Sequence, residues 1–172
     1  FIGQFALFTY LRPFLESVTQ VNVNVLSIIL LFMGGAGLVG NMLFARVLSQ
    51  RLFTTLAFAP LVMALMAAAL VMLGTQLIPT ALLLVIWGLV STALPVAWWT
   101  WLSQTFPNDA EAAGGLMVAV VQLAITLGAA GGGLLYDFSG YRATFVVAAA
   151  LLALSAIVFT LSLWRKAPAL TS

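Results

Sequence analysis

The sequence predicts an all-α integral membrane protein of six transmembrane helices, arranged as two inverted three-helix repeats, and three observations carry that prediction. Of the 172 residues, 64% are hydrophobic and 6% charged, and the mean hydropathy is +1.20, too little polar surface to coat a soluble globule of this size. The charged side chains are Arg12, Glu16, Arg46, Arg51, Asp109, Glu111, Asp137, Arg142, Arg165 and Lys166, and almost all fall in gaps between apolar runs. The stretch GLVGNMLFARVLSQR, from Gly37 to Arg51, returns in altered form at Gly128 to Arg142. One shift lays Gly37 on Gly128, Gly40 on Gly131, Leu43 on Leu134, Arg46 on Asp137 and Arg51 on Arg142. A repeat of about half the chain divides it into two units of one plan.

A hydrocarbon core about 30 Å thick asks for roughly 20 apolar residues per helix. The first run, residues 1–15, would reach only about 22 Å, so its beginning is expected to be missing and the chain to be cut from something longer. The second run covers 24–44, the third 52–73, the fourth 79–102, the fifth 109–135 and the sixth 141–164. The runs lack the strict alternation of a barrel wall, and helices are the other structure that satisfies its backbone in lipid. Pro79 suits a helix start, Asn108 with Glu111 resembles a capping box, and Ser139-Gly140 punctuates the last turn. If the first run points outward, Arg46, Arg51, Arg165 and Lys166 fall inside and Arg12 and Arg142 outside, the expected excess of inner cations. Three spans per unit is an odd number, so the two matching turns lie on opposite faces and the halves are inverted.

The same inventory excludes several function classes. Without cysteine or histidine there is no thiolate metal site and no imidazole base or ligand, so no metal or cofactor is expected. No carboxylate lies within the hydrophobic depth of a span, and an intramembrane enzyme would need a nucleophile with a base, or paired acids. The net charge of +2 without a basic cluster argues against nucleic acid as a partner, despite a pI near 9.5.

Inverted three-helix repeats are a recurring plan of secondary transporters. The turn GGLLYDFSGYR resembles the Gly-x-x-x-x-Asp-x-x-Gly-x-Arg loop of major facilitator transporters, through Gly132, Asp137, Gly140 and Arg142. Gly40, Arg46 and Arg51 resemble a degenerate copy of that family's loop. The whole chain is similar to the C-terminal six helices of the drug/proton-antiporter branch. The segments FTYLRPFLE, VIWGLVSTALPVAWWTWL and EAAGGLMVAVVQLAITLGAAGGG are most similar to bacterial purine-nucleoside and sugar efflux permeases. The resemblance implies a multi-pass protein of the bacterial inner membrane, partnered by lipid, by an N-terminal six-helix half and by protons, that exports a small organic solute. With all four carboxylates in turns, the proton-carrying group would then belong to the missing half. A non-transporting scaffold, or a half-size transporter that dimerises to enclose a path, are the competing expectations.

The resemblance also implies that the first and fourth spans line the cavity. On the first, Gln4, Phe8 and Arg12 share a face at intervals of four, with Phe5 beside them; on the fourth, Trp87, Ser91, Pro95 and Trp98 do likewise. Pro95 frees a carbonyl at an expected kink. Rings with scattered amides and hydroxyls suit a flat heterocycle or a sugar, whereas Trp98, Trp99 and Trp101 equally suit an interfacial belt. Gln122 and Thr126 lie one turn apart near the centre of the fifth span, as cavity contacts or as a helix-to-helix bond. Arg12 either faces the cavity or turns outward to pair with Glu16. Gly128 and Gly132 form a small-xxx-small pair for close helix packing or sliding.

Overall fold

The computed structural model describes residues 1–166, apart from the side chains at 47–50 and 163–166, so Arg165 and Lys166 of the inner-cation argument lie outside the described side chains. Every regular element among the described residues is helical: α1 (Ile2–Phe8), α2 (Leu11–Ser17), α3 (Val23–Leu73), α4 (Leu77–Ser91), α5 (Ala93–Thr105) and α6 (Ala110–Lys166). Four stretches among them are long and apolar enough to cross a membrane: Val23–Arg46, Arg51–Leu73, Leu77–Thr105 and Ala110–Ser162.

Two of the breaks sit four residues before a proline. A proline has no N–H to give to the carbonyl of residue i−4, and its ring crowds that carbonyl. Pro13 faces Thr9 in this way, and the first apolar run is split there into α1 and α2 rather than forming one helix. Pro95 faces Ser91, and the fourth run breaks between α4 and α5. The hydroxyls beside that break bond back to the helix, Ser91 Oγ donating to Gly88 O at 3.1 Å and Thr92 Oγ1 to Leu89 O at 3.0 Å, as apolar surroundings require.

The two longest helices are bent, α3 at Arg51 (φ −137°, ψ 38°) and α6 at Gly140 (φ 77°, ψ 177°). Residues twelve apart in a straight helix stand about 18 Å apart, yet Thr144 Oγ1 donates to Gly132 O at 3.4 Å. The chain therefore doubles back at Gly140. Likewise Phe44 and Val62, about 27 Å apart in a straight helix, border one cavity of about 340 Å³, so α3 folds back around Arg51.

Glycines set the closest helix approaches. A Cβ on Gly128 would stand 2.5 Å from Ile2 O, and one on Gly132 2.9 Å from Ala6 O, so α1 lies directly on the first limb of α6. On the other side of the bundle, a Cβ on Gly40 would collide with Leu89 O and one on Gly88 with Met33 O, bringing α3 onto α4. Without a hydrophobic drive between helices in lipid, such backbone proximity supplies the dispersion contacts. Phe14, Leu7, Met63, Leu70, Leu84, Trp87 and Phe145 fill the core, while Leu31, Phe32, Met42, Met72 and Phe138 remain exposed on the outside, the pattern of a helix bundle solvated by lipid.

Candidate functional site

Two adjoining chambers lie between α5 and the first limb of α6. The inner chamber, about 250 Å³, is bordered by Gln4 and Phe5 of α1, Pro95 and Trp99 of α5, and Met117, Val118, Val121, Gln122 and Ile125 of α6. An outer chamber of about 710 Å³ runs on from it along α6, sharing Met117 and Val121, and reaches Trp98, Trp101, Phe106 and Asp109.

Each element contributes for a local reason. The α6 residues 117, 118, 121, 122 and 125 follow helical spacing, so they form one strip. Pro95, which follows the break between α4 and α5, borders the inner chamber. On α1, Gln4 is held between Ile2 and Ala6, the two residues that rest on Gly128 and Gly132. Gln4 is only 8% exposed, and its Oε1 is sealed without a hydrogen-bond partner. An unpaired buried carbonyl is destabilising by about 1–3 kcal/mol. Such a group persists where a ligand or a second conformation supplies the donor. Gln122 borders the same chamber from α6.

Four of the residues singled out from sequence, Gln4, Phe5, Pro95 and Gln122, are thus brought together, and Trp98 joins them through the outer chamber. The others sit elsewhere. Phe8 is 44% exposed and meets Phe5 edge-on at 6.0 Å. Arg12 lies past the α1–α2 break, exposed, with Nε donating to Glu16 Oε1 at 2.9 Å. The face that would have joined Gln4, Phe8 and Arg12 is interrupted by that break. Trp87 is 1% exposed in the core, its Nε1 without a partner. Ser91 caps the break as described, and Thr126 Oγ1 donates to Gln122 O at 2.9 Å within its own helix.

The loop-motif residues lie at the helix bends. Gly132 packs on Ala6, and Gly140 holds the positive φ that folds α6. Asp137 is exposed beside that bend. Arg142 Nε donates to Tyr141 Oη at 3.2 Å, with its guanidinium 5.9 Å from the ring centre. Gly40 packs on Leu89, and Arg46 is exposed. Arg51 marks the α3 bend, its carbonyl accepting from Thr55 Oγ1 at 3.0 Å. Tyr10, in the junction between α1 and α2, donates from Oη to Ala129 O at 2.9 Å while its ring stacks on Tyr136 at 5.4 Å, tying that junction to α6.

Sequence reasoning passed over Trp99, Trp101, Phe106 and Asp109 as chamber residues, because tryptophans near a span end and a carboxylate in a turn both have ordinary interfacial explanations. A usable signal was the pairing of Trp98 with Trp101 at i, i+3, which presents two indoles on one face. Among the described residues no three metal-ligating side chains come together.

Over 169 residues, 98% of its length, the chain is 52% identical to a protein of Pseudomonas aeruginosa named transcription regulatory protein OpdE, and it covers 42% of that protein. It is 39% identical to purine ribonucleoside efflux pumps NepI of Salmonella paratyphi B and of Salmonella typhimurium, matching over 92% of this chain and 40% of each pump. The chain therefore spans about two-fifths of the length of the curated relatives it matches. No family model matches the chain. No solved structure matches it.

Proposed function

We propose that this chain is the C-terminal half of a twelve-helix secondary transporter of the major facilitator type, which exports a small organic solute across the bacterial inner membrane by alternating access. The observation that carries the reading is the inner chamber: two amides, Gln4 of α1 and Gln122 of α6, border one space beside the rings of Phe5 and Trp99, as a flat polar heterocycle needs. The 39% identical relatives named as purine ribonucleoside efflux pumps make purine nucleosides the first solute class to test, with sugars second. The glycine contacts support six spans in two inverted repeats, because the matched stretches play the same part. Gly37 receives α4, which opens the second repeat, and its counterpart Gly128 receives α1, which opens the first; the second contact comes from Gly40 in one stretch and from Gly132, one residue past Gly40's counterpart, in the other. The coupling proton is carried by the N-terminal half, since the carboxylates Glu16, Asp109, Glu111 and Asp137 are all exposed outside the core.

Counterflow in vesicles holding the full protein tests this, with labelled inosine, arabinose and tetraphenylphosphonium as solutes. Inosine exchange that falls in Gln4→Leu at equal protein level supports the reading. Absence of exchange of all three solutes would sink it.

The 52% identical relative named as a transcription regulatory protein favours a second reading, in which a membrane protein alters gene expression. The two are compatible if export changes the concentration of an effector metabolite. A reporter whose response to deletion is restored by the wild type but not by Gln4→Leu would join them. Restoration by both would separate regulation from transport.

A further inference from the structure

The two short helices of the first apolar run are held in different ways. Backbone meets backbone around α1: a Cβ on Gly3 would stand 2.8 Å from Ala148 O on the second limb of α6, while Gly128 and Gly132 bring the first limb onto Ile2 and Ala6. Helix α1 is thereby wedged between the two limbs. Side chains hold α2. Phe14 fills the space where a Cβ on Gly74 would be and packs on Tyr141 and Phe145, 5.3 and 4.8 Å between ring centres. Thr19 Oγ1 donates to Gly74 O at 2.7 Å. Ser17 Oγ gives its hydrogen to Pro13 O at 2.6 Å, so in its 3.3 Å contact with Tyr136 Oη the tyrosine is the donor. The buried face of α2, Leu11, Phe14 and Leu15, thus covers the end of the bundle where α3 gives way to α4 and α6 bends.

Both ends of α2 are backbone joints. Upstream, Tyr10 is non-helical (φ −101°, ψ 12°), and Pro13 gives Thr9 O no helical donor. Tyr10 itself is anchored, its hydroxyl seated where a Cβ on Gly133 would collide with it. Downstream, Gln20 has a φ of 58°, in a helix stop closed by Val21 N–H donating to Leu15 O at 3.1 Å. Glycine fills such a left-handed position without strain, and other residues occupy it under strain. Strain at a joint favours any arrangement in which Gln20 relaxes. The tie from Tyr136 to Ser17 is exposed, so water can replace it when it opens.

We propose that α2 is a strap that swings about the Thr9–Tyr10 joint and uncovers this end of the bundle, biased toward opening by the left-handed backbone at Gln20 and latched by Tyr136 on Ser17. The device does not depend on any solute, so it is read as accessibility rather than transport. In the full protein in detergent, with any cysteine outside this chain replaced by serine, Leu15→Cys places a thiol on the covered face of α2 and Leu84→Cys places one in the α4 core, both at fully buried sites. The rate of labelling by a charged maleimide measures opening. The Leu15→Cys protein is expected to label about tenfold faster than the Leu84→Cys protein, because a local opening needs less than the whole bundle to come apart. Tyr136→Phe, which keeps its ring on Tyr10, speeds Leu15→Cys labelling about fivefold, and Gln20→Gly slows it about fivefold. Gly131→Ala, whose Cβ meets nothing within 4 Å, slows Leu84→Cys labelling and leaves Leu15→Cys labelling unchanged. Amide exchange of residues 11–21 against residues 80–90, followed by mass spectrometry without any cysteine, repeats the comparison if Leu15→Cys lowers stability. Equal rates at the two sites, or an equal Gly131→Ala effect on both, would mean that α2 opens only with the whole bundle and would overturn the strap. Rates at Leu15→Cys unmoved by both Tyr136→Phe and Gln20→Gly would overturn the latch and the bias.

Discussion

Gly128→Ala and Gly131→Ala are the same chemical change three residues apart, and the structure assigns them opposite signs. A Cβ on Gly128 would lie 2.5 Å from Ile2 O and 3.2 Å from Ala6 N, both backbone atoms of α1, whereas a Cβ on Gly131 meets nothing within 4 Å. At Gly131 the substitution acts through helix propensity alone, which favours alanine by about 1 kcal/mol. At Gly128 no rotamer can relieve the overlap, so α1 must move outward by about 1 Å to reach ordinary contact, and overpacking of this kind costs about 1–3 kcal/mol. After the propensity gain, a net loss of up to about 2 kcal/mol remains. For a chain of this size about 1 kcal/mol corresponds to roughly 2–4 °C in melting temperature. Gly131→Ala is thus expected to melt about 2–4 °C higher than the wild type and Gly128→Ala several degrees lower. Because Gln4 sits between Ile2 and Ala6 on the displaced helix, Gly128→Ala should also lose solute exchange at temperatures where it is still folded. Intrinsic tryptophan fluorescence in detergent follows the melting. Equal shifts of the same sign in both variants would refute the claim that α1 lies directly on the α6 backbone.

Gln122→Leu removes one of the two chamber amides without touching the core, and is expected to raise the KM for exchange about five- to tenfold, the value of one lost hydrogen bond, with unchanged protein level on immunoblot. Thr19→Val deletes the buried bond from Thr19 Oγ1 to Gly74 O, 2.7 Å long, leaving that carbonyl without its donor. A loss of about 1–2 kcal/mol is expected in the same melting assay. Arg12→Ala breaks only an exposed pair with Glu16, of a kind that contributes little, so melting temperature and exchange should both match the wild type. Lost exchange at native stability would move Arg12 back into the solute path.

How much of this was legible beforehand depended on the range of the cause. The apolar runs and their polar gaps come from composition within a few residues, and they mark helical membrane-length stretches well. The disruptive force of Pro13 and Pro95 acts on a carbonyl four residues away, so the kink beside Pro95 was expected. The break at Thr9 follows from the same rule applied to Pro13. The chamber was less accessible. Gln4 and Gln122 share it because Gly128 and Gly132 admit α1, a contact between residues more than a hundred positions apart. Periodicity identifies a face but not the helix it meets. Trp87 illustrates this: its spacing with Pro95 and Trp98 is helical, yet the break at Thr92 separates it from them, and its ring is enclosed by the core.

Gly140 lets the motif turn be tested for what it does structurally. Its φ of 77° with ψ of 177° lies in a region that side-chain-bearing residues almost never occupy, and nothing lies within 4 Å of where its Cβ would be. Space is therefore not the constraint, and the cost of Gly140→Ala is backbone strain of about 1–3 kcal/mol. Gly131→Ala is the matched control, with equal open space but helical backbone. Relief of the strain would require the two limbs of α6 to straighten, which would separate Thr144 Oγ1 from Gly132 O, now 3.4 Å apart, and withdraw Phe145 from Phe14, now 4.8 Å away between ring centres. Gly140→Ala should accordingly melt several degrees below the wild type. Adding Thr144→Val should cost less in the Gly140→Ala background than alone, because the bond it removes is already weakened. Full additivity of the two losses, or a Gly140→Ala protein as stable as Gly131→Ala, would mean that the turn does not depend on the left-handed glycine and that its place in the motif has another cause.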